Sequence, residues 1–154
     1  MDFRIRGLDP QPFAPLFALT DGELAQRRAL RKTSDSKPGF PCRITLCDAE
    51  PGETVLLLNY EHLPVDSPYR SSHAIYVSGA KQAFDGVNEV PQALHDRLLA
   101  IRAFDADGLM VDAEIVEGRE ARPLIERFLG LPGVTYLHAH YARRGCYAAR
   151  IERA

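Results

Sequence analysis

Apolar positions along this chain follow two periods, and the changes between them mark out short elements. Alternation predicts strands at Cys42 to Leu46, Ala74 to Val77, Leu99 to Ala103, Val111 to Ile115, Val134 to Tyr141 and Cys146 to Glu152. Thr54 to Tyr60 is apolar on both faces, with Val55 and Leu57 on one and Leu56, Leu58 and Tyr60 on the other. That places it centrally in a sheet, with Cys42 to Leu46 as its hairpin partner. Helical spacing is clearest from Arg122 to Leu129, where Leu124, Ile125, Phe128 and Leu129 form a stripe between Pro123 in the first turn and a stop at Gly130. Thr20-Asp21-Gly22-Glu23 has capping-box spacing and predicts a helix containing Leu24 and Ala25. Asp9-Pro10 caps another short helix carrying Phe13, Leu16 and Phe17, and Pro91 to Arg97 reads as a helical turn. Hairpins outnumber βαβ alternations. The pattern predicts an α+β fold, a mostly antiparallel twisted sheet of about 6–8 strands built from hairpins, with about three short helices packed at its side.

Turn chemistry bears on two registers. A three-residue loop Ala106-Asp107-Gly108, with glycine in the left-handed position, places Ile101 opposite Ala113 and Arg102 opposite Asp112. At the last hairpin two registers stay open. A three-residue loop Arg143-Arg144-Gly145 puts Cys146, Ala148 and Arg150 on the same face as His138 and His140. A two- or four-residue loop turns those three away and leaves Tyr147 and Ala149 beside the histidines. Glu61 to Ser72 carries Pro64 and Pro68 without periodicity, and reads as an ordered loop of about twelve residues, long enough to suggest function.

Composition narrows the classes. A chain of 154 residues, 45% hydrophobic, suits one domain over residues 1–154, which at this length buries about two thirds of the unfolded chain's surface. Its 19 basic and 21 acidic residues are interspersed and leave a net charge of −2. That gives no footprint for nucleic acid or an anionic membrane. The first residues lack the apolar stretch of a signal peptide and no window is long enough to span a bilayer, so a cytoplasmic location is expected. Cys42, Cys47 and Cys146 form an odd set without a C-x-x-C pair, as reduced thiols do.

The candidate chemistry centres on His138-Ala139-His140. Residues two apart on a strand share a face about 6.5 to 7 Å apart, so the two imidazoles can share a divalent metal, with His62 or His73 as a third ligand and Asp48 or Glu61 as oxygen donors. The alternative is an ordinary half-buried or solvated histidine pair. Were Cys146 to join that face, with Arg143 or Arg150 nearby, it would be placed as a nucleophile; cysteine in a strand otherwise serves as packing. Tyr69-Arg70-Ser71-Ser72-His73 packs hydrogen-bond donors of the kind that receive a carboxylate or phosphate, with Arg43 as a second positive group. Asp112 and Glu114 share a face, but one best explained as solvated.

Pro38-Gly39-Phe40-Pro41-Cys42-Arg43, the hairpin Asp48-Ala49 through Gly52-Glu53 to Val55-Leu56-Leu57, Tyr60 with His62, Pro68-Tyr69-Arg70-Ser71-Ser72, and His138 and His140 with Gly145-Cys146 together resemble the bacterial domain of unknown function family 1203. The resemblance implies a small stand-alone bacterial protein and carries no activity. It groups the Cys42-Arg43 segment, the Tyr60 to His73 stretch and the last hairpin. Two functions follow as expectations. One is a protein or enzyme binding a small, anionic molecule in a pocket of Arg43, His62, Tyr69, Arg70, Ser72, His73, His138, His140 and Cys146. The other is a non-catalytic protein-interaction domain using the Tyr60 to His73 stretch and an open sheet edge.

Overall fold

Hydrophobic alternation resolves into more strands than the sequence announces. The computed structural model describes residues 1–154, with elements β1 (Phe3–Arg6), α1 (Asp21–Gln26), β2 (Leu30–Thr33), β3 (Thr54–Leu63), β4 (Ser71–Ser78), β5 (Asp85–Val87), α2 (Gln92–His95), β6 (Leu98–Phe104), β7 (Met110–Glu117), α3 (Ala121–Leu129), β8 (Tyr136–Tyr141) and β9 (Tyr147–Arg153). The fold is α+β. An antiparallel six-stranded sheet runs β5-β1-β9-β8-β6-β7, and β2-β3-β4 form a second, three-stranded sheet.

The central strand β8 is buried on both faces. Leu137, Ala139 and Tyr141 meet α3 through Leu124, Ile125, Phe128 and Leu129, the stripe that its sequence predicts. Each such aliphatic or aromatic side chain contributes about 1.5–3 kcal/mol by leaving water, which fixes α3 on this face. Tyr136, His138 and His140 point the other way, where β3 of the small sheet covers them with Leu63 and His62. The histidines are therefore held between two sheets.

Three expectations are corrected. Cys42 to Leu46 is a turn and not a strand: the Leu46 N–H donates to the Cys42 carbonyl at 2.9 Å, and Leu46 has a φ of 53°. Its apolar side chains reach opposite cores, Ile44 under the small sheet and Leu46 in the main one, which imitates the alternation of a strand. β3 pairs with β2 and β4 instead. The turn is clamped by Arg43, whose N–H donates to the Tyr76 carbonyl at 3.0 Å and whose carbonyl accepts from Leu8 at 2.8 Å. Gly7 permits that approach, since a Cβ there would lie 1.9 Å from the Ile44 carbonyl oxygen.

The second correction shortens the expected loop. β3 runs on to Leu63 and β4 starts at Ser71, so His62 and His73 belong to strands. The third concerns β6–β7. The loop is as expected, with Gly108 at φ 76° and Asp105 capping the turn, but a bulge after Phe104–Met110 shifts the pairing to Ile101 with Glu114 and Arg102 with Ala113. β7 is an edge strand, and Val111 and Ile115 are exposed. The Asp112 and Glu114 carboxylates accept from the N–H groups of Ala113 and Ile115 at 2.8 and 3.1 Å. This edge thus carries its own carboxylate caps, which oppose pairing with another strand. No helix is long and apolar enough to cross a membrane.

Candidate functional site

The last hairpin decides which groups meet. Gly145, at φ 77°, closes a four-residue loop in which the Gly145 N–H donates to the Tyr141 carbonyl at 2.7 Å and the Tyr141 N–H to the Cys146 carbonyl at 2.9 Å. His140 therefore faces Tyr147. A bulge at Ala148 then resets the register, so Ala139 faces Ala149 and His138 faces Arg150. The outcome mixes the two expected registers: Tyr147 and Arg150 lie on the histidine side, and Cys146 turns into the α3 side of the sheet. Cys146 and the histidines are consequently not one site.

Two adjacent clusters result. In the first, the ring centroids of His62, His138 and His140 form a triangle with sides of 5.0, 6.1 and 6.2 Å. Tyr147 stacks on His62 at 5.4 Å and presents its ring to the other two. Burial pushes His138 and His140 down to about 3 and His62 to about 4. The nearby Arg102 guanidinium acts in the same direction on all three, as does Arg150 on His138. The imidazoles are neutral at pH 7.

The second cluster lines a cavity of about 620 Å³ on the other side of the hairpin. Arg43 is 1% exposed and has no carboxylate partner. Its Nε donates to the Tyr147 carbonyl at 2.8 Å, Nη1 to the Pro41 carbonyl at 2.6 Å, and Nη2 to Cys146 Sγ at 3.0 Å. A guanidinium carries five N–H groups, so two have no protein acceptor. The Arg43 and Arg97 guanidinium carbons both lie over the Tyr141 ring, 4.8 and 5.1 Å from its centroid. Its hydroxyl has no hydrogen-bond partner, and burial raises it to about 12 against the pull of the two arginines. Arg97 is held by buried Asp48 through contacts of 2.9 and 2.5 Å. Arg143 and Arg144 add charge at the cavity mouth, opposed by Asp96 and Glu117.

Arg43, His73 and Cys146 line the cavity, whereas His62, His138 and His140 form the buried triangle. Tyr69, Arg70 and Ser72 join neither: Arg70 pairs with Glu61, Tyr69 packs edge-on against Phe104, and Ser72 is exposed. Tyr147 joins the two clusters, its carbonyl bound to Arg43 and its ring against the histidines. Tyr147 beside the histidines matches the two- or four-residue-loop register, whereas Arg97 and Tyr141 are not among the expected site residues. The signal at Tyr141 was its place on the apolar face of β8 with Leu137 and Ala139, where a buried hydroxyl needs a partner.

No curated protein and no solved structure matches the chain. The model for a family described as protein of unknown function (DUF1203) matches residues 39–153. That span contains every residue of both clusters, and this chain belongs to the DUF1203 family.

Proposed function

We propose that this protein binds a small organic oxyanion in the cavity walled by Arg43, Arg97 and Tyr141. The observation that carries this reading is the buried Arg43 guanidinium, which lines the cavity and pairs with no carboxylate, Asp96 and Glu117 in the wall included. A buried charge without a counter-ion is costly. A carboxylate or phosphate ester supplies the missing charge and accepts hydrogen bonds from the two spare N–H groups and from the Tyr141 hydroxyl. The cavity volume suits a metabolite-sized ligand. Arg97 contributes less, because Asp48 already neutralises it.

The interaction-domain reading has weaker support, since the β7 edge is capped by its own carboxylates. The test is calorimetric titration of small mono- and dicarboxylates and phosphate esters into wild type and Tyr141→Phe. Binding is expected, and removing the hydroxyl deletes one hydrogen bond, about 1–1.5 kcal/mol, or about tenfold in affinity. Wild-type protein that ignores the whole panel at millimolar concentration, or binding that Tyr141→Phe leaves unchanged, overturns the assignment.

A further inference from the structure

The histidine triangle lies outside the cavity and calls for a different occupant. Its hydrogen bonds fix the tautomers of two rings. His140 Nδ1 lies 2.9 Å from the Gly145 carbonyl, an acceptor only, so Nδ1 carries the proton and Nε2 a lone pair. Ser71 Oγ donates its single hydrogen to the Tyr69 carbonyl at 2.8 Å, so it must accept at its 3.1 Å contact with His62 Nε2, which leaves the lone pair on His62 Nδ1. Both lone pairs are buried and meet no protein donor, and His138 Nδ1 is likewise buried and unpartnered. His138 and His140 are 2% and 1% exposed. An unmet buried polar atom costs about 1–3 kcal/mol, so three in one cluster need an explanation.

We infer that His62, His138 and His140 form a three-imidazole site for a divalent transition-metal ion. The size of the triangle fits. Sides of 5.0, 6.1 and 6.2 Å place a common point about 3.4 Å from each ring centroid, and a zinc–nitrogen bond of about 2.0–2.1 Å puts an imidazole centroid about 3.2 Å from the metal. The second contacts fit as well: an imidazole ligand is usually oriented by a carbonyl or hydroxyl on its other nitrogen, as Gly145 and Ser71 orient His140 and His62. With the rings as they stand, no group of three His, Cys, Asp or Glu side chains could hold a metal ion. Loading therefore requires His138 to turn while Gly145 and Ser71 keep hold of His140 and His62, and the torsion that swings an imidazole is broad. His138 has no bond at Nδ1 to lose.

The ligand set is neutral, because Glu61 is engaged by Arg70 and Asp48 by Arg97. Imidazole alone favours zinc, cobalt, nickel or copper over magnesium or calcium. Arg102 stands beside the cluster on the β6 strand opposite His138, so the metal's remaining position takes hydroxide or an exogenous oxyanion. His73 is not a ligand here: it sits in the cavity wall with Nδ1 on the Ala74 carbonyl.

The test is independent of the oxyanion reading, since it uses metal alone. Untagged protein, stripped with chelator, is titrated with cobalt(II) while the visible ligand-field bands and the thermal midpoint are followed. One equivalent is expected to bind, to produce the bands of a low-coordinate cobalt site and to raise the midpoint. His62→Gln is expected to weaken binding by about 100-fold or more, whereas His73→Gln leaves it intact. Circular dichroism and the metal-free midpoint check that both variants fold. Folded wild-type protein that binds no cobalt or zinc at about 0.1 mM, or a His73→Gln variant that loses the bands while His62→Gln keeps them, overturns the site. Bands absent with water alone serving the lone pairs counts as the same refutation.

Discussion

Arg43→Met is expected to lower oxyanion affinity by about 100-fold or more, because it removes two charge-assisted hydrogen bonds worth about 1.5–3 kcal/mol each. Two effects oppose each other in the stability of the ligand-free protein. Methionine removes a buried charge that no carboxylate balances, which is favourable. It also strips donors from the Tyr147 and Pro41 carbonyls and from Cys146 Sγ, at about 1–3 kcal/mol for each buried acceptor left unmet. The carbonyls and the Tyr141 ring face already compensate part of the charge, so the lost hydrogen bonds win and a net loss of about 2–3 kcal/mol is expected. Urea unfolding measures it. Adding the ligand should raise the wild-type midpoint and leave the variant's unmoved. Arg43→Lys keeps the charge without the planar fork and should fall between the two. A methionine variant that still binds the anion as tightly as wild type would remove Arg43 from the site.

The sequence carried the fold class and the parity of the histidine strand, because both follow from local periodicity. Leu124, Ile125, Phe128 and Leu129 can form a stripe only as a helix, and His138 and His140 share a face in any strand. What failed were features that insert a residue without changing composition. The four-residue loop turns Cys146 away from the histidines and the bulge at Ala148 returns Arg150 to them, a combination that no single loop length gives. The bulge beyond Met110 moved Arg102 from Asp112 to Ala113 in the same manner.

The Cys42–Leu46 turn failed for another reason. Two cores lie on either side of it, so Ile44 and Leu46 are both buried, one in each core, without a strand to carry them. Arg43, one position before Ile44, is legible in the sequence as a positive group, but the contacts that hold its backbone come from Gly7, Leu8 and Tyr76, far off in sequence. The candidate pocket divided in two on this account. Its members were assigned by chemistry, which the sequence displays, and were sorted by strand order, which it does not.

Asp48→Asn is expected to move stability and binding in opposite directions. The Asp48 side chain is fully buried and accepts from both terminal nitrogens of Arg97, from Gln92 at 2.9 Å and from the Gly39 N–H at 3.2 Å. Asparagine keeps the shape but turns one acceptor into a donor facing donors. It also leaves Arg97 without its counter-charge, a loss of about 3 kcal/mol by comparison with other broken buried pairs. The released Arg97 charge faces the cavity, so oxyanion affinity should rise by several-fold, on the order of 1 kcal/mol. The stability gap depends on pH. Burial alone would raise the Asp48 carboxyl, but the hydrogen bonds from Arg97, Gln92 and Gly39 outweigh it and hold the group below its ordinary value. A carboxyl lowered in the folded state contributes its full stability above the unfolded value, about 3.9, and loses it as the pH falls through the folded one. The gap between wild type and Asp48→Asn in urea unfolding should therefore stay constant from neutral pH down to about pH 5 and narrow below the carboxylate range. A gap that widens in acid would mean that Asp48 is protonated in the folded protein, and Arg97 would then already carry an unbalanced charge into the cavity.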